Sequence, residues 1–98
     1  MNQQIRRLSE LDRVIHEPGR LIILTLLSAV EECDFRYLLH ETEMNKGTLS
    51  GHLSRLEEAG HVKIEKTFRG KFPHTLLRLT EDGRVAFADY RKKLKQSL

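Results

Sequence analysis

At Gly60 the hydrophobic periodicity of this chain changes, and few folds accommodate such a change. Before it, Leu49, Leu53 and Leu56 recur at i, i+4 and i+7, the stripe of an amphipathic helix. Asn45 is placed to cap that helix at Lys46, and Gly60 to stop it. After it, His61-Val62-Lys63-Ile64-Glu65-Lys66-Thr67-Phe68 alternates polar and apolar residues at period two, the pattern of a half-buried strand. Arg69-Gly70-Lys71-Phe72-Pro73 has turn chemistry, and His74 to Leu79 reads as a second strand with Leu77 and Leu79 on one face. The chain thus passes from a short helix directly into a hairpin with a cationic tip.

The flanking segments complete the order. Ile5, Leu8, Leu11 and Ile15 predict one amphipathic helix, which Pro18-Gly19 interrupts. Pro18 suits the first turn of a second helix. With Leu21, Ile22, Ile23, Leu24, Leu26, Leu27, Ala29 and Val30 it is apolar on most sides, and is expected to be central and buried. Cys33-Asp34-Phe35 is a short extended step. Asp34 can cap a third helix whose inward face is Leu38 and Leu39, and Met44-Asn45 makes the next turn. Thr80 caps a last helix, with Glu81 and Asp82 in the first turn where they oppose the helix dipole. The expected fold is mainly α with a small β-hairpin. It is a winged helix-turn-helix, a three-helix core plus wing and N- and C-terminal helices, formed by residues 1–98 as a single domain.

Composition narrows the function classes. The net charge is +3, but residues 61–98 hold ten of the 17 Lys and Arg and only four of the 14 acidic residues. A basic region of this kind is the electrostatic footprint of a nucleic-acid binder, although a solvated basic helix has the same composition. No stretch approaches the roughly 18 apolar residues of a membrane helix, and the first residues lack the order of a secretory signal, so a cytoplasmic protein is expected. Cys33 is the only cysteine, and the five histidines His16, His40, His52, His61 and His74 show no short ligand spacing, so neither a metal nor a cofactor is expected. His16 reads as a helix-end hydrogen-bonding residue. No carboxylate pair, nucleophile–base set or phosphate-binding glycine loop suggests an enzyme, Glu57-Glu58 being adjacent on a helix surface.

The candidate site lies on the fourth helix and the hairpin tip. At 100° per residue, Leu53 and Leu56 fall within about 40° of Leu49. Gly47, Gly51, Ser54, Arg55 and Glu58 point away from them, with Thr48, Ser50 and His52 on the flanks and Lys46 at the start. Each interior helix glycine costs about 1 kcal/mol relative to alanine. Two of them on an outward face are a local inconsistency of the kind that marks function, since bare backbone lets a helix approach base edges in the major groove. In the hairpin, Arg69 and Lys71 flank Gly70, with Lys66 and His74 on the adjoining strands. An exposed turn is often charged merely because it is exposed; behind such a helix pair, these cations are placed to reach phosphates or the minor groove.

Three passages resemble the small winged helix-turn-helix regulators related to the MarR and ArsR groups. They are Leu11 to Leu24 with its His16-Glu17-Pro18-Gly19-Arg20-Leu21 core, Asn45 to Gly60 with its Leu49-Ser50-Gly51-His52-Leu53 run, and Leu79-Thr80-Glu81-Asp82-Gly83-Arg84. The resemblance implies sequence-specific binding of double-stranded DNA and regulation of transcription. It places base or phosphate contacts on Lys46, Thr48, Ser50, Gly51, His52 and Arg55 of a recognition helix at 46–59, and on Arg69 and Lys71 of a wing at 67–74. It also implies a homodimer built from the first and last helices, 1–16 and 81–98. Phe87, Tyr90, Leu94 and Leu98 at spacings of three and four, with Ile5 and Leu8, support such an interface independently. The competing arrangement packs both helices onto their own core.

The main alternative is a winged helix used for protein contact in a transcription complex, since one fold serves both uses. A protein-docking face would show apolar anchors on the outward side of the fourth helix, where this chain has Gly, Thr, Ser and Arg. RNA binding is disfavoured by an expected lack of exposed aromatic residues for base stacking.

Overall fold

The structure, a computed structural model, describes residues 2–98. Its elements are α1 (Gln3–Ser9), α2 (Pro18–Ser28), β1 (Cys33–Asp34), α3 (Phe35–Thr42), α4 (Lys46–Glu58), β2 (Val62–Arg69), β3 (Phe72–Leu79) and α5 (Glu81–Gln96). The strands form an antiparallel sheet in the order β1-β3-β2. The architecture is the expected winged helix, with the hairpin joined to the helical core by the two-residue β1.

Side-chain caps start the helices where the sequence places them. Asn45 Oδ1 accepts from Thr48 N at 2.8 Å, Asp34 Oδ1 from Tyr37 N at 2.8 Å, and Thr80 Oγ1 from Gly83 N at 2.9 Å. Between α3 and α4, Glu43 takes the left-handed conformation (φ 57°) that reverses the chain. Ile15, Ile23, Leu24, Leu27, Leu38, Leu49, Leu56 and Leu77 are the largest fully buried side chains, so the core lies where α2, α3, α4 and the base of the hairpin meet.

Two expectations are corrected. The first helix ends at Ser9 instead of continuing to residue 16. The Asp12 carboxylate accepts from the amides of Val14 (2.8 Å) and Ile15 (3.2 Å), offering the backbone a turn in place of another helical turn. That turn delivers Leu11 and Ile15 into the core, while Ile5 and Leu8 stay outside it. Helix α2 is not buried on all sides: Ile23, Leu24 and Leu27 face inward and Ile22 is 47% exposed.

Past the core the molecule is drawn out. Its extents are 57 × 25 × 21 Å and its radius of gyration is 14.8 Å, against about 13 Å for a compact chain of this length. Helix α1 packs along α5, and Arg7 donates to the Gln96 carbonyl at 3.4 Å, making a two-helix arm. At the opposite extreme the hairpin reaches Gly70, whose φ of 65° at the first central position of a two-residue turn suits glycine. Pro73 is tolerated in β3 because β1 pairs only with Leu76 and Leu77, leaving an open edge beside the proline.

Candidate nucleic-acid interface

Helix α4 presents its capped N-terminus and one open face to solvent. Leu49, Leu53 and Leu56 hold it to the core, while Lys46, Gly47, Thr48, Ser50, Gly51, Ser54 and Arg55 are exposed. The glycines on this face are not required by packing. A Cβ built on Gly51 meets nothing within 4 Å, and one on Gly47 meets only Asn45 Oδ1 at an ordinary 3.5 Å. What the glycines supply is therefore low relief, a bare helix surface with hydroxyls on its flanks and a cation at its positive end.

Between α4 and the hairpin runs a cleft of about 300 Å³, floored by Phe35, Leu53, Ile64 and Leu77 and rimmed by Ser50, Ser54, Lys66 and Thr75. Three hydroxyls and an ammonium around an open trough suit a phosphodiester strand. The sequence reading included Ser50 and Lys66 and missed Ser54 and Thr75 as partners. Both had a signal: Ser54 lies one helical turn beyond Ser50, and the hairpin register sets Thr75 directly opposite Lys66. Arg69 and Lys71 sit at the exposed tip, as expected.

Two histidines are placed differently. His52 does not stand free on the outer surface; its side chain is 20% exposed and turned toward α2. Its Nε2 lies 3.5 Å from Glu17 Oε2, and its Nδ1 3.3 Å from Arg20 Nη1. The ring fills the space over Gly19, where a Cβ would come within 2.6 Å of Nε2. This explains the His16-Glu17-Pro18-Gly19-Arg20 passage in physical terms. Glu17 caps α2 by accepting from the Gly19 and Arg20 amides, Pro18 opens it, Gly19 admits His52, and Arg20 donates to the Val14 carbonyl. His16 Nδ1 meets the Tyr90 hydroxyl at 2.6 Å and ties in α5.

His74 pairs with Thr67 across the hairpin and so faces away from the cleft that Lys66 and Thr75 line. Its Nε2 lies 3.1 Å from Asp34 Oδ2, joining the hairpin to the start of α3. The Tyr37 amide, followed by the His74 imidazole, holds the Asp34 carboxyl below its ordinary value. A carboxylate with a lowered folded-state pKa contributes stability that is complete above the unfolded value. That contribution is lost only as the pH falls below the ordinary 3.8. Asp34→Ala removes cap and pair together and is expected to lower stability by about 1–2 kcal/mol in urea unfolding at pH 7. The deficit relative to the native protein should shrink on acidification below pH 4.

The hairpin tip also carries what the sequence reading excluded. Phe68 is 71% and Phe72 76% exposed. The alternation 61–68 puts Phe68 on one face with Val62 and Ile64, but cover on that face fades along the strand: Val62 is buried, Ile64 half-buried and Phe68 exposed. Conversely Phe87 and Tyr90, expected at a subunit interface, are 5% and 3% exposed inside the protein's own core. Their three-residue spacing serves α5 packing equally well. Leu94 is half-buried against the same core, leaving Ile5, Leu8 and Leu98 exposed on the arm. Burial, with Asp34 and Glu32 nearby, pushes the Cys33 thiol up to about 11, away from the reactive thiolate. Among the described residues no group of three or more His, Cys, Asp or Glu is arranged to hold a metal, and no helix is long and apolar enough to cross a membrane.

The family described as winged helix DNA-binding domain matches residues 20–98. An uncharacterised protein of Methanocaldococcus jannaschii is 36% identical over 78 residues, 80% of this chain and 85% of that protein. Among solved structures, a transcriptional regulator homologue from Pyrococcus horikoshii superposes with a TM-score of 0.87 at 22% identity, over 97% of this chain and 93% of that one. NadR in complex with 4-hydroxyphenylacetate superposes with a TM-score of 0.72 at 23% identity, over 96% of this chain and 64% of NadR. At these identities the two structures speak for the fold.

Proposed function

Since the chain belongs to the winged helix DNA-binding domain family, we propose that it is not an enzyme but a sequence-specific transcriptional regulator working on double-stranded DNA as a homodimer. In this reading α4 (Lys46–Glu58) enters the major groove, and the wing (67–74) lies on the backbone or in the minor groove. The observation that carries it is the open face of α4, where Gly51 leaves bare backbone beside Thr48, Ser50 and the Lys66 cleft. Lys46, Thr48, Ser50, Gly51 and Arg55 are the groove-facing residues, and Ser54, Lys66, Thr75, Arg69 and Lys71 the backbone set. His52 acts indirectly, fixing α4 against α2, and His74 by holding the wing to Asp34. The same reading places the protein in the cytoplasm of a cell without a nucleus.

The test is selection from a random duplex library, followed by titrations of the winner at several salt concentrations. A palindrome with half-sites about one helical turn apart is expected. Arg69→Ala with Lys71→Ala should flatten the salt dependence by about 0.9 in the log–log slope for each phosphate left without its cation. An unchanged slope would take the wing off the backbone, and no duplex binding at all would favour a protein-docking winged helix.

The arm supports the dimer. Ile5, Leu8 and Leu98 lie exposed on paired helices beyond the core. Leu8→Glu with Leu98→Glu changes no buried residue and is expected to yield a folded monomer in sedimentation equilibrium. A persistent dimer would move the interface elsewhere.

A further inference from the structure

Within the proposed DNA-binding role, on which this inference rests, we propose that the wing is an aromatic wedge that opens the minor groove and bends the duplex. Phe68 and Phe72 stand at the end of a fully paired hairpin, so the backbone holds their rings in place. The register sets them on opposite faces: Phe68 opposes Pro73 on the face that looks toward the cleft, and Phe72 opposes Arg69 on the other. Both rings are more than two-thirds exposed, at 71% and 76%. Phe72 lines a groove of about 340 Å³ with Asp34, Arg36, Arg69, Pro73 and His74.

Charge identifies the partner. Arg69 and Lys71 lie between the two rings, Lys66 and His74 lie behind them, and no acidic residue occurs between Glu65 and Glu81. The carboxylate in the groove beside Phe72, Asp34, is paired with His74, and Arg36 and Arg69 line the same groove. Apolar rings among these cations match a polyanion that also offers apolar surface, which a duplex supplies in its sugar walls and base faces. The dimensions then require deformation. A pleated ribbon with side chains on both faces is about 10 Å thick. The minor groove of B-DNA is about 6 Å wide. The tip enters with both rings only if the groove widens, which bends the duplex toward the major groove, and wedging side chains are one means of holding such a bend. The deformation is easiest at pyrimidine–purine steps, so the wing adds specificity at positions beside the half-site that α4 does not touch.

The experiment uses the selected duplex carrying a donor and an acceptor dye at its two ends, with the full chain. The native protein is expected to shorten the end-to-end distance. Phe68→Ser with Phe72→Ser should bind about tenfold more weakly without bending the duplex. It should keep the native salt slope, because Arg69 and Lys71 remain, and also the native thermal midpoint, because neither ring is in the core. Binding by the native protein without bending would overturn the wedge while leaving the DNA-binding reading intact. Bending by the double variant equal to that of the native protein would do the same. Failure of the native protein to bind any duplex would overturn both. A change in self-association of the variant without DNA would make the rings a protein contact, and tighter binding of single-stranded oligonucleotides would make them base-stacking platforms; either result overturns the wedge.

Discussion

Gly51→Leu is expected to make the protein slightly more stable and, with α4 in the major groove as proposed, nearly blind to the selected duplex. Glycine in a helix interior costs about 1 kcal/mol relative to alanine, and leucine is close to alanine on the same scale. A Cβ at residue 51 meets nothing within 4 Å, so no clash opposes that gain. The thermal midpoint should rise by several degrees, at roughly 4–8 °C per kcal/mol for a domain of this size. In the DNA complex the same side chain has the opposite effect. A helix with its side chains is about 10–12 Å across and the major groove about 12 Å wide, so an isobutyl group on the leading face holds the backbone off the base edges. Affinity for the selected sequence should fall by a factor of roughly 10³ or more, toward non-specific binding. Thermal unfolding and operator titration on one preparation check both halves. A stabilised variant with unchanged affinity would remove α4 from the groove.

This opposition of propensity and position was legible in the sequence, because it needs only a helix with a known inward stripe. The period change at Gly60, the Asn45 and Asp34 caps and the cationic turn were legible for the same reason: each depends on residues within a few positions of one another. What was not legible depends on distance. His52 lies on the flank of a helical wheel, which leaves its direction open, and only the arrival of Glu17, Gly19 and Arg20 from the start of α2 turns it inward. The alternation that makes β2 a strand does not say where its cover ends, so Phe68 read as an inward residue. In α5, a spacing of three or four describes a face without naming what covers it, which is why Phe87 and Tyr90 belong to the protein's own core while Leu98 does not. The early end of α1 is a different failure. Asp12 was in plain view, but its competition with the helix for the amides of Val14 and Ile15 is decided by the burial that the turn achieves for Leu11 and Ile15.

Gly83→Ala tests the joint that holds these pieces together, and its expected sign reverses that of Gly51→Leu. Propensity alone would predict a gain of about 1 kcal/mol, since Gly83 lies in the first turn of α5. The structure predicts a loss. A Cβ at residue 83 would lie 2.0 Å from the His61 carbonyl oxygen, 2.8 Å from its carbon and 2.9 Å from the His61 Cα, all backbone atoms that no rotamer change can move. The same carbonyl accepts from the Thr80 amide at 3.0 Å, Thr80 Oγ1 donates to the Gly60 carbonyl at 2.6 Å, and the His61 amide donates to the Leu56 carbonyl at 2.9 Å. The end of α4, the start of β2 and the start of α5 are therefore stitched at one point, and relieving the clash means parting α5 from that point. Arg84, which donates to the Val30 carbonyl at 3.0 Å, would be pulled with it. Overpacking of this kind costs typically about 1–3 kcal/mol and occasionally more. Backbone on both sides of the contact puts this case at the upper end, a fall of roughly 10 °C or more in the thermal midpoint. Gly47→Ala, whose Cβ finds only an ordinary 3.5 Å contact, is the control and should be neutral or stabilising. If Gly83→Ala proved as stable as the native chain, the close seating of α5 on His61 would be wrong, and with it the orientation of the arm that carries Leu98.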